Sequence, residues 1–211
     1  MTLRPIALAL FLAASPLALT VSASAQSAPA EAAAQNAELK AFFDQVDAEN
    51  LAAAPQGKAY RGIRDGDYGK WNDPSDAAEA AAFARGQKAL ATMKARFDPA
   101  KLSPEDRLSY RLFEYQAERS ARAHPYRKND YIFDQMNGAQ SQMPAFLINI
   151  HSVKTRADAE AYVQRLQGMG PQMDALVAEA RQRSEAGVMP PKWVYPFVLD
   201  DARNVIKGAP F

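Results

Sequence analysis

Residues 155–187, TRADAEAYVQRLQGMGPQMDALVAEARQRSEAG, indicate the fold more clearly than any other stretch of the chain. Thr155 and Asp158 have the spacing of a helix-capping pair, and apolar residues then recur every three or four positions. The recurrence continues beyond Gly170-Pro171, where we expect a kink or an interruption, and Gly187 is a candidate helix-ending residue. The apolar positions are Tyr162, Val163, Leu166, Met169, Met173, Leu176, Val177 and Ala180.

The same periodicity predicts helices elsewhere in the chain. These segments run from Leu39 to Val46, Phe83 to Phe97, Ser103 to about Pro125, Phe146 to Ile150 and Pro196 to Lys207. The helix that begins after Ser103 is expected to bury Leu108, Leu112 and Tyr115.

The intervening segments contain turn residues rather than strand patterns. Residues 56–74 carry four glycines and predict a long loop, after which Asp76 is expected to cap the next helix. Residues 130–135 allow at most a short extended segment. We therefore predict an all-α fold, built as an irregular array of helices.

The first 25 residues have the features of a secretory signal. Arg4 precedes an apolar run from Ile6 to Leu19, and Ala23-Ser24-Ala25 provides a cleavage pattern before Gln26. We expect a periplasmic or secreted protein with no membrane association after cleavage. Residues 26–36 predict a flexible tether, and residues 37–211 predict one helical region.

The composition argues against several classes of function. The chain has 25 basic and 24 acidic residues, so it offers no broad electrostatic case for binding nucleic acid or acidic membranes. It has no cysteine, which rules out disulfides, thiolate zinc ligands and a cysteine nucleophile.

A few polar residues are candidates for substrate binding. Asn137, Gln140 and Gln142 lie near a predicted turn, and their amides can donate to and accept from a peptide backbone. His151 follows the apolar run 146–150 and could bond a substrate in a cleft. The structural alternatives are that the amides satisfy the local backbone and that His151 is a half-buried residue bonded to backbone.

No catalytic or metal-binding residue can be assigned. The two histidines, His124 and His151, are not followed by Glu and are not four residues apart, so they cannot form an H-E-x-x-H motif. Carboxylates are plentiful, and a metal-free hydrolase that uses two of them stays open as a weaker alternative.

Several short segments, taken in order, resemble the N-terminal half of the bacterial family called domain of unknown function 885. They are Asp73-Pro74-Ser75, residues 102–110 (LSPEDRLSY), 137–140 (NGAQ), 143–147 (MPAFL), 158–162 (DAEAY), 165–166 (RL) and 187–191 (GVMPP). The resemblance implies a mostly helical, exported, zinc-metallopeptidase-like protein, about three times as long, with its zinc motif beyond the region covered here. No catalytic or metal residue of that family carries over to this chain.

The resemblance leads to an expected function with one rival. We expect the N-terminal helical part of a metallopeptidase-like protein, inactive alone and without a cofactor of its own, because zinc belongs to the full-length protein. Its expected partner is the missing C-terminal half or a separate subunit, and its expected ligand is a peptide substrate. The rival is an exported helical module that binds a peptide or a protein.

Overall fold

A computed structural model describes residues 27–207 of the chain, with side chains from residue 33 onward. Seven α-helices and no strand occur in that range, which confirms the predicted all-α class. The helices are α1 (Ser27–Ala52), α2 (Pro55–Tyr60), α3 (Asp76–Arg96), α4 (Pro104–Ala123), α5 (Ala139–Asn149), α6 (Arg156–Glu185) and α7 (Tyr195–Lys207). Residues 130–135 form bends and turns instead of a strand.

Side-chain caps fix where three of the helices begin. Ser103 accepts from the N–H of Asp106 and precedes Pro104, as predicted. Thr155 and Asp158 form a complete capping box at the start of α6, also as predicted. The prediction for α3 was one residue too late, because Ser75 is the cap and accepts from the N–H of Ala78. Ser75 caps the helix in place of Asp76 because its short hydroxyl side chain reaches the N–H of Ala78.

Two glycines with positive φ end α2 and α6. Gly187 has a φ of 83°, and the bonds Gly187 N–H to Ser184 O and Val188 N–H to Arg183 O form a Schellman motif. This geometry confirms the helix end predicted at Gly187. Gly62 ends α2 with the same two types of bond and a φ of 72°. The predicted loop over residues 56–74 is therefore shorter than expected, because α2 occupies its beginning.

The larger apolar core lies between α1, α3 and α4. Its buried members are Leu39, Phe42, Leu90, Met93, Phe97, Leu102 and Tyr110. The predicted orientation of α4 is wrong, because Leu108, Leu112 and Tyr115 are exposed while Tyr110, Phe113 and Ala117 contact the core. α4 carries two apolar stripes, and the aromatic one packs against the rings of α1.

A second, smaller core joins the segment after α2 to α5 and α6. Ala59, Tyr68 and Phe146 are buried in it, with Trp71, Ile150 and Ala161 packed around them. α6 continues through Gly170-Pro171 without the predicted interruption. Its predicted apolar stripe is partly wrong, because Val163 and Leu166 are exposed whereas the charged residues Asp158 and Arg165 are buried.

The predicted signal, residues 1–25, lies outside the described residues. α1 includes residues 27–36, and the flexibility predicted for that segment stays a prediction. None of the helices within residues 27–207 is both long enough and apolar enough to cross a bilayer.

Candidate functional site

Arg165, in the first half of α6, is a charged side chain with no exposed surface. Its Nε donates to the carbonyl oxygen of Lys70 at 3.1 Å. Its guanidinium carbon lies 4.5 Å from the ring centroid of Phe146 and 5.5 and 5.7 Å from those of Tyr68 and Trp71. Three aromatic rings therefore surround the cation at distances typical of cation–π contacts.

The two terminal nitrogens of Arg165, Nη1 and Nη2, are buried and have no hydrogen-bond partner among the described residues. Burial lowers the pKa of Arg165 to about 10, an effect that the phenol of Tyr68 partly opposes. Buried arginines are normally paired with a carboxylate, because an isolated buried charge is unfavourable. This arrangement is therefore unusual and points to a functional role.

His151, immediately after α5, lies against the same aromatic group. Its ring centroid is 4.3 Å from that of Tyr68 and 5.2 Å from that of Tyr162. Its Nε2 lies 3.1 Å from the carbonyl oxygen of Asp158, and because that oxygen can only accept, Nε2 carries the proton. Its Nδ1 is then a buried acceptor with no partner among the described residues.

The protonation of His151 is set by its surroundings. Burial is the main cause that lowers the pKa of His151 below 6.5, and the positive charge of Arg165 acts in the same direction. The bond to the Asp158 carbonyl opposes both effects. His151 is therefore the neutral form of the side chain at neutral pH.

Three hydrogen bonds converge on one oxygen, Oδ2, of the Asp158 carboxylate. It accepts from the backbone N–H groups of Lys154 and Thr155 at 3.0 and 2.9 Å and from Arg64 at 2.9 Å. The bond from Lys154 is the first cause that holds the pKa of Asp158 below 3.8. Asp158 therefore stabilises the start of α6 and holds Arg64 beside it.

Residues 61–74, here called the aromatic loop, cover Arg165. The Tyr68 hydroxyl donates to the carbonyl of Ser152 at 3.1 Å, and Trp71 Nε1 donates to the carbonyl of Arg165 at 2.9 Å. Gly69 lies so close to α6 that an added Cβ would collide with Gln164 and come within 3.1 Å of the carbonyl oxygen of Ala161. The loop therefore packs backbone to backbone on the helix.

These residues define one site, here called the Arg165 cluster. Its members are Tyr68, Trp71, Phe146, His151, Asp158 and Arg165. The sequence predicted only His151 among them. Asp158 is predicted only as a helix-capping residue and Phe146 only as part of a short helix, and the sequence analysis does not single out Tyr68, Trp71 or Arg165. The sequence does carry one signal for the burial of Arg165. Residues 158, 161, 165 and 168 have the spacing of residues on one buried face of a helix.

The predicted amide group is not brought together with His151. Gln140 lies at the start of α5, so roughly 16 Å of helix rise separates it from His151. Gln140 is buried, and its Nε2 donates to the carbonyl of Asp134 at 2.6 Å and to the carboxylate of Asp201 at 3.3 Å. Asn137 and Gln142 are exposed. Gln140 thus links α5 to α7 and is distant from the Arg165 cluster.

An apolar cavity lies at the other end of α6. It has a volume of about 310 Å³ and is enclosed by residues 130–133, the last turns of α6 and the beginning of α7. Tyr131, Val177, Val188 and Val198 are among its apolar walls, and Arg181 is among its charged lining residues. A space of this size is at the lower limit of ligand pockets.

Potential metal ligands do not gather in the part of the chain that the structure describes. No group of three or more His, Asp or Glu side chains in residues 33–207 has the geometry to hold a metal ion. The ring of His124 is stacked on Phe83 of α3, with centroids 3.8 Å apart, whereas His151 belongs to the Arg165 cluster.

The comparison with known proteins identifies a family. No curated protein and no solved structure matches the chain. The family model described as "Bacterial protein of unknown function (DUF885)" matches residues 55–211, which include α2 to α7 and the whole Arg165 cluster. Because this match extends over more than half of the chain, the chain belongs to the DUF885 family of bacterial proteins.

Proposed function

We propose that this chain is the N-terminal helical part of an exported, zinc-metallopeptidase-like protein of the DUF885 family. It forms one wall of a substrate cleft, and a second part, either a C-terminal half or a partner subunit, supplies the H-E-x-x-H motif. The family match supports membership of the DUF885 family, and the metallopeptidase hypothesis rests on the sequence resemblance. The observation that carries the proposal is a broad apolar surface on α7.

α7 has more apolar surface than its own packing uses. With about 100° between successive residues, Val198 and Asp201 share one side of α7, where Val198 lines the cavity beside α6 and Asp201 bonds Gln140 of α5. Tyr195, Leu199 and Ile206 form a second stripe beside them. The exposed fractions of Tyr195, Leu199 and Ile206 are 43%, 51% and 83%. A helix on the surface of a protein needs a single apolar stripe, so the second stripe is available for a partner.

The spacing of that stripe fits an amphipathic helix of the second part. Tyr195, Leu199 and Ile206 lie at i, i+4 and i+11, which is the spacing of residues that pack along a neighbouring helix. On the opposite side of the helix, roughly 160° from this stripe, Asn204 is exposed.

Mixing the two parts tests the proposal. The purified chain is combined with a C-terminal half, containing the zinc motif, taken from a full-length member of the family. We expect a complex by size-exclusion chromatography with light scattering, loss of hydrophobic-dye binding, and zinc-dependent peptidase activity only in the mixture. Leu199→Glu should prevent the complex, and Asn204→Glu, on the opposite side of α7, should leave it intact.

A strictly monomeric chain that binds no dye and forms no complex contradicts the proposal. A complex that forms equally with Leu199→Glu contradicts the assignment of the surface. Export is tested separately by N-terminal sequencing of the protein from its bacterial host, where we expect Gln26 as the first residue and a finding of Met1 would refute cleavage.

The cavity at the end of α6 favours a second candidate, an exported module that binds peptides. Its apolar walls and its volume of about 310 Å³ suit one large apolar side chain of a peptide. Val198→Trp, which fills the cavity, should abolish binding of an aromatic-rich peptide to the isolated chain. Leu199→Trp, one residue further and outside the cavity, should not. Binding that is equal in both variants would exclude this candidate.

A further inference from the structure

The Arg165 cluster contains several buried polar atoms that the described residues leave unpaired. Nη1 and Nη2 of Arg165 and Nδ1 of His151 all lack a hydrogen-bond partner, and both side chains contact the ring of Tyr68. Unpaired buried donors and acceptors are rare in folded proteins. Two donors and one acceptor beside the same ring therefore suggest a site for a polar ligand.

The charge of Arg165 determines which ligand the site would take. No carboxylate of the described residues forms an ion pair with it, and the nearby carboxylate of Asp158 is held by Arg64 and two backbone N–H groups. The bond from Nε to Lys70 fixes the plane of the guanidinium and leaves its two terminal nitrogens as a fork. Such a fork matches the two oxygens of a carboxylate.

We infer that Arg165 is the binding group for the carboxylate of a small ligand, either a free carboxylic acid or the C-terminus of a peptide, that enters beneath the aromatic loop. The rings of Tyr68, Trp71 and Phe146 exclude water from the pair and strengthen it. The site exists within this chain and does not depend on a partner docked on α7.

Entry requires the aromatic loop to separate from α6 and α5. Its side chains are joined to α6, and to the segment between α5 and α6, by the bonds from Tyr68 to the Ser152 carbonyl, from Trp71 to the Arg165 carbonyl and from Arg64 to the Asp158 carboxylate. Two further bonds run from α6 to the loop backbone, from Arg165 Nε to the carbonyl of Lys70 and from Gln172 to the carbonyl of Asn72, each at 3.1 Å. Residues 61–66 of the loop are exposed. These few bonds can open as a unit without disturbing the larger core between α1, α3 and α4.

Trp71 provides a direct reporter of binding. The chain has two tryptophans, and Trp193→Phe leaves Trp71 alone, 5.7 Å from the guanidinium carbon of Arg165. This variant is titrated at constant ionic strength with acetate, with an N-acetylated dipeptide, and with the same dipeptide amidated at its C-terminus. Sodium chloride replaces the ligand in the reference titration.

We expect a saturable change in Trp71 fluorescence, and a rise in melting temperature, with the dipeptide that has a free carboxylate. Chloride and the amidated dipeptide should produce neither. In the same background Arg165→Lys should weaken binding at least about tenfold, because it keeps the charge and loses the fork. Arg165→Met should abolish binding, whereas Arg122→Met, which removes an exposed arginine of α4 paired with Glu118, should leave it unchanged.

The outcomes separate the two sources of the carboxylate. Saturation by acetate as well as by the dipeptide assigns a free carboxylic acid as a sufficient ligand, and saturation by the dipeptide alone assigns a peptide C-terminus. The inference is overturned if neither compound gives a saturable change, or if the change is equal in Arg165→Met. Circular dichroism verifies that each variant is folded. If Arg165→Met does not fold, Arg165→Lys alone tests the inference.

Discussion

The cost of burying Arg165 can be judged from its pKa. Burial lowers that pKa to about 10, and the cost to the folded state is present at every pH below this value. A decrease from the usual value above 12 corresponds to on the order of 3 kcal/mol. Cation–π contacts with the three aromatic rings offset a part of this cost. The residue therefore reduces stability in the free chain, which is common for residues retained for function.

Arg165→Met should for this reason raise the free energy of unfolding of the ligand-free chain by about 1 kcal/mol. The methionine fills the space between the rings and removes the unpaired charge. Arg61→Met is the matched control, and it should change the stability by less than about 0.5 kcal/mol, because the Arg61–Asp47 pair is exposed. Urea denaturation measures both. A loss of more than about 2 kcal/mol in Arg165→Met would show that the cation stabilises the fold.

His151 should make stability depend on pH. Because burial lowers its pKa in the folded state, the unfolded chain binds the proton first as the pH falls through 6.5. Stability is therefore greatest above 6.5 and declines as the pH drops toward the folded-state pKa. Asp158 adds a separate decline below 3.8, since its own pKa is lowered.

His151→Phe should remove the first decline and leave the second. The measurement is the free energy of unfolding in urea on both sides of pH 6.5. An unchanged slope in the variant would show that another group is responsible. The absolute stability is not the readout, because Phe also loses the bond to the Asp158 carbonyl.

Of the two apolar stripes of α4, only the one that contains Phe113 contacts the core. The ring of Phe113 lies 5.4 and 6.2 Å from those of Phe43 and Phe42, whereas Leu112 is half exposed. Phe113→Ala should cost about 3 kcal/mol, and Leu112→Ala less than about 1 kcal/mol. Equal losses in urea denaturation would mean that Leu112 is buried in solution by an interface.

Two glycines should respond to alanine with opposite signs. Gly187 has a positive φ and nothing within 4 Å of an added Cβ, so Gly187→Ala should cost about 1 kcal/mol for conformational reasons alone. Gly86, inside α3, has equally open space and no positive φ, so Gly86→Ala should gain about 1 kcal/mol. Melting temperatures of the two variants measure the difference, and a shift of the same sign would contradict the assigned backbone geometry.

The ends of the helices are easier to predict from sequence than the face that each helix buries. Caps such as Ser103 and Thr155 and stops such as Gly187 are local, so they can be read from a few adjacent residues. The face that a helix buries depends on its neighbours, and α4 could have used Leu112 or Phe113. Arg165 was missed because it is buried by the aromatic loop, which lies about 95 residues earlier in the chain.

The residues available as zinc ligands lead to a prediction about metal content and peptidase activity. The chain has two histidines and no cysteine, and catalytic zinc sites usually use three protein ligands. We expect the purified chain to retain no stoichiometric zinc after dialysis and to hydrolyse no peptide. Elemental analysis and a peptidase assay with and without a chelator measure this. Retained zinc, or activity lost on chelation, would refute it.

The close approach of the aromatic loop to α6 has a consequence for how the family can vary. Because a Cβ at position 69 would lie 3.0 Å from the Cβ of Gln164 and 3.1 Å from the Ala161 carbonyl oxygen, selection should favour glycine there in members that share this packing. A large residue at this position would identify relatives in which the loop has moved away. Saturation mutagenesis of position 69 under selection for folding should recover mainly glycine, whereas position 66, with nothing within 4 Å, should accept many residues. One backbone contact thus becomes a marker for classifying the family.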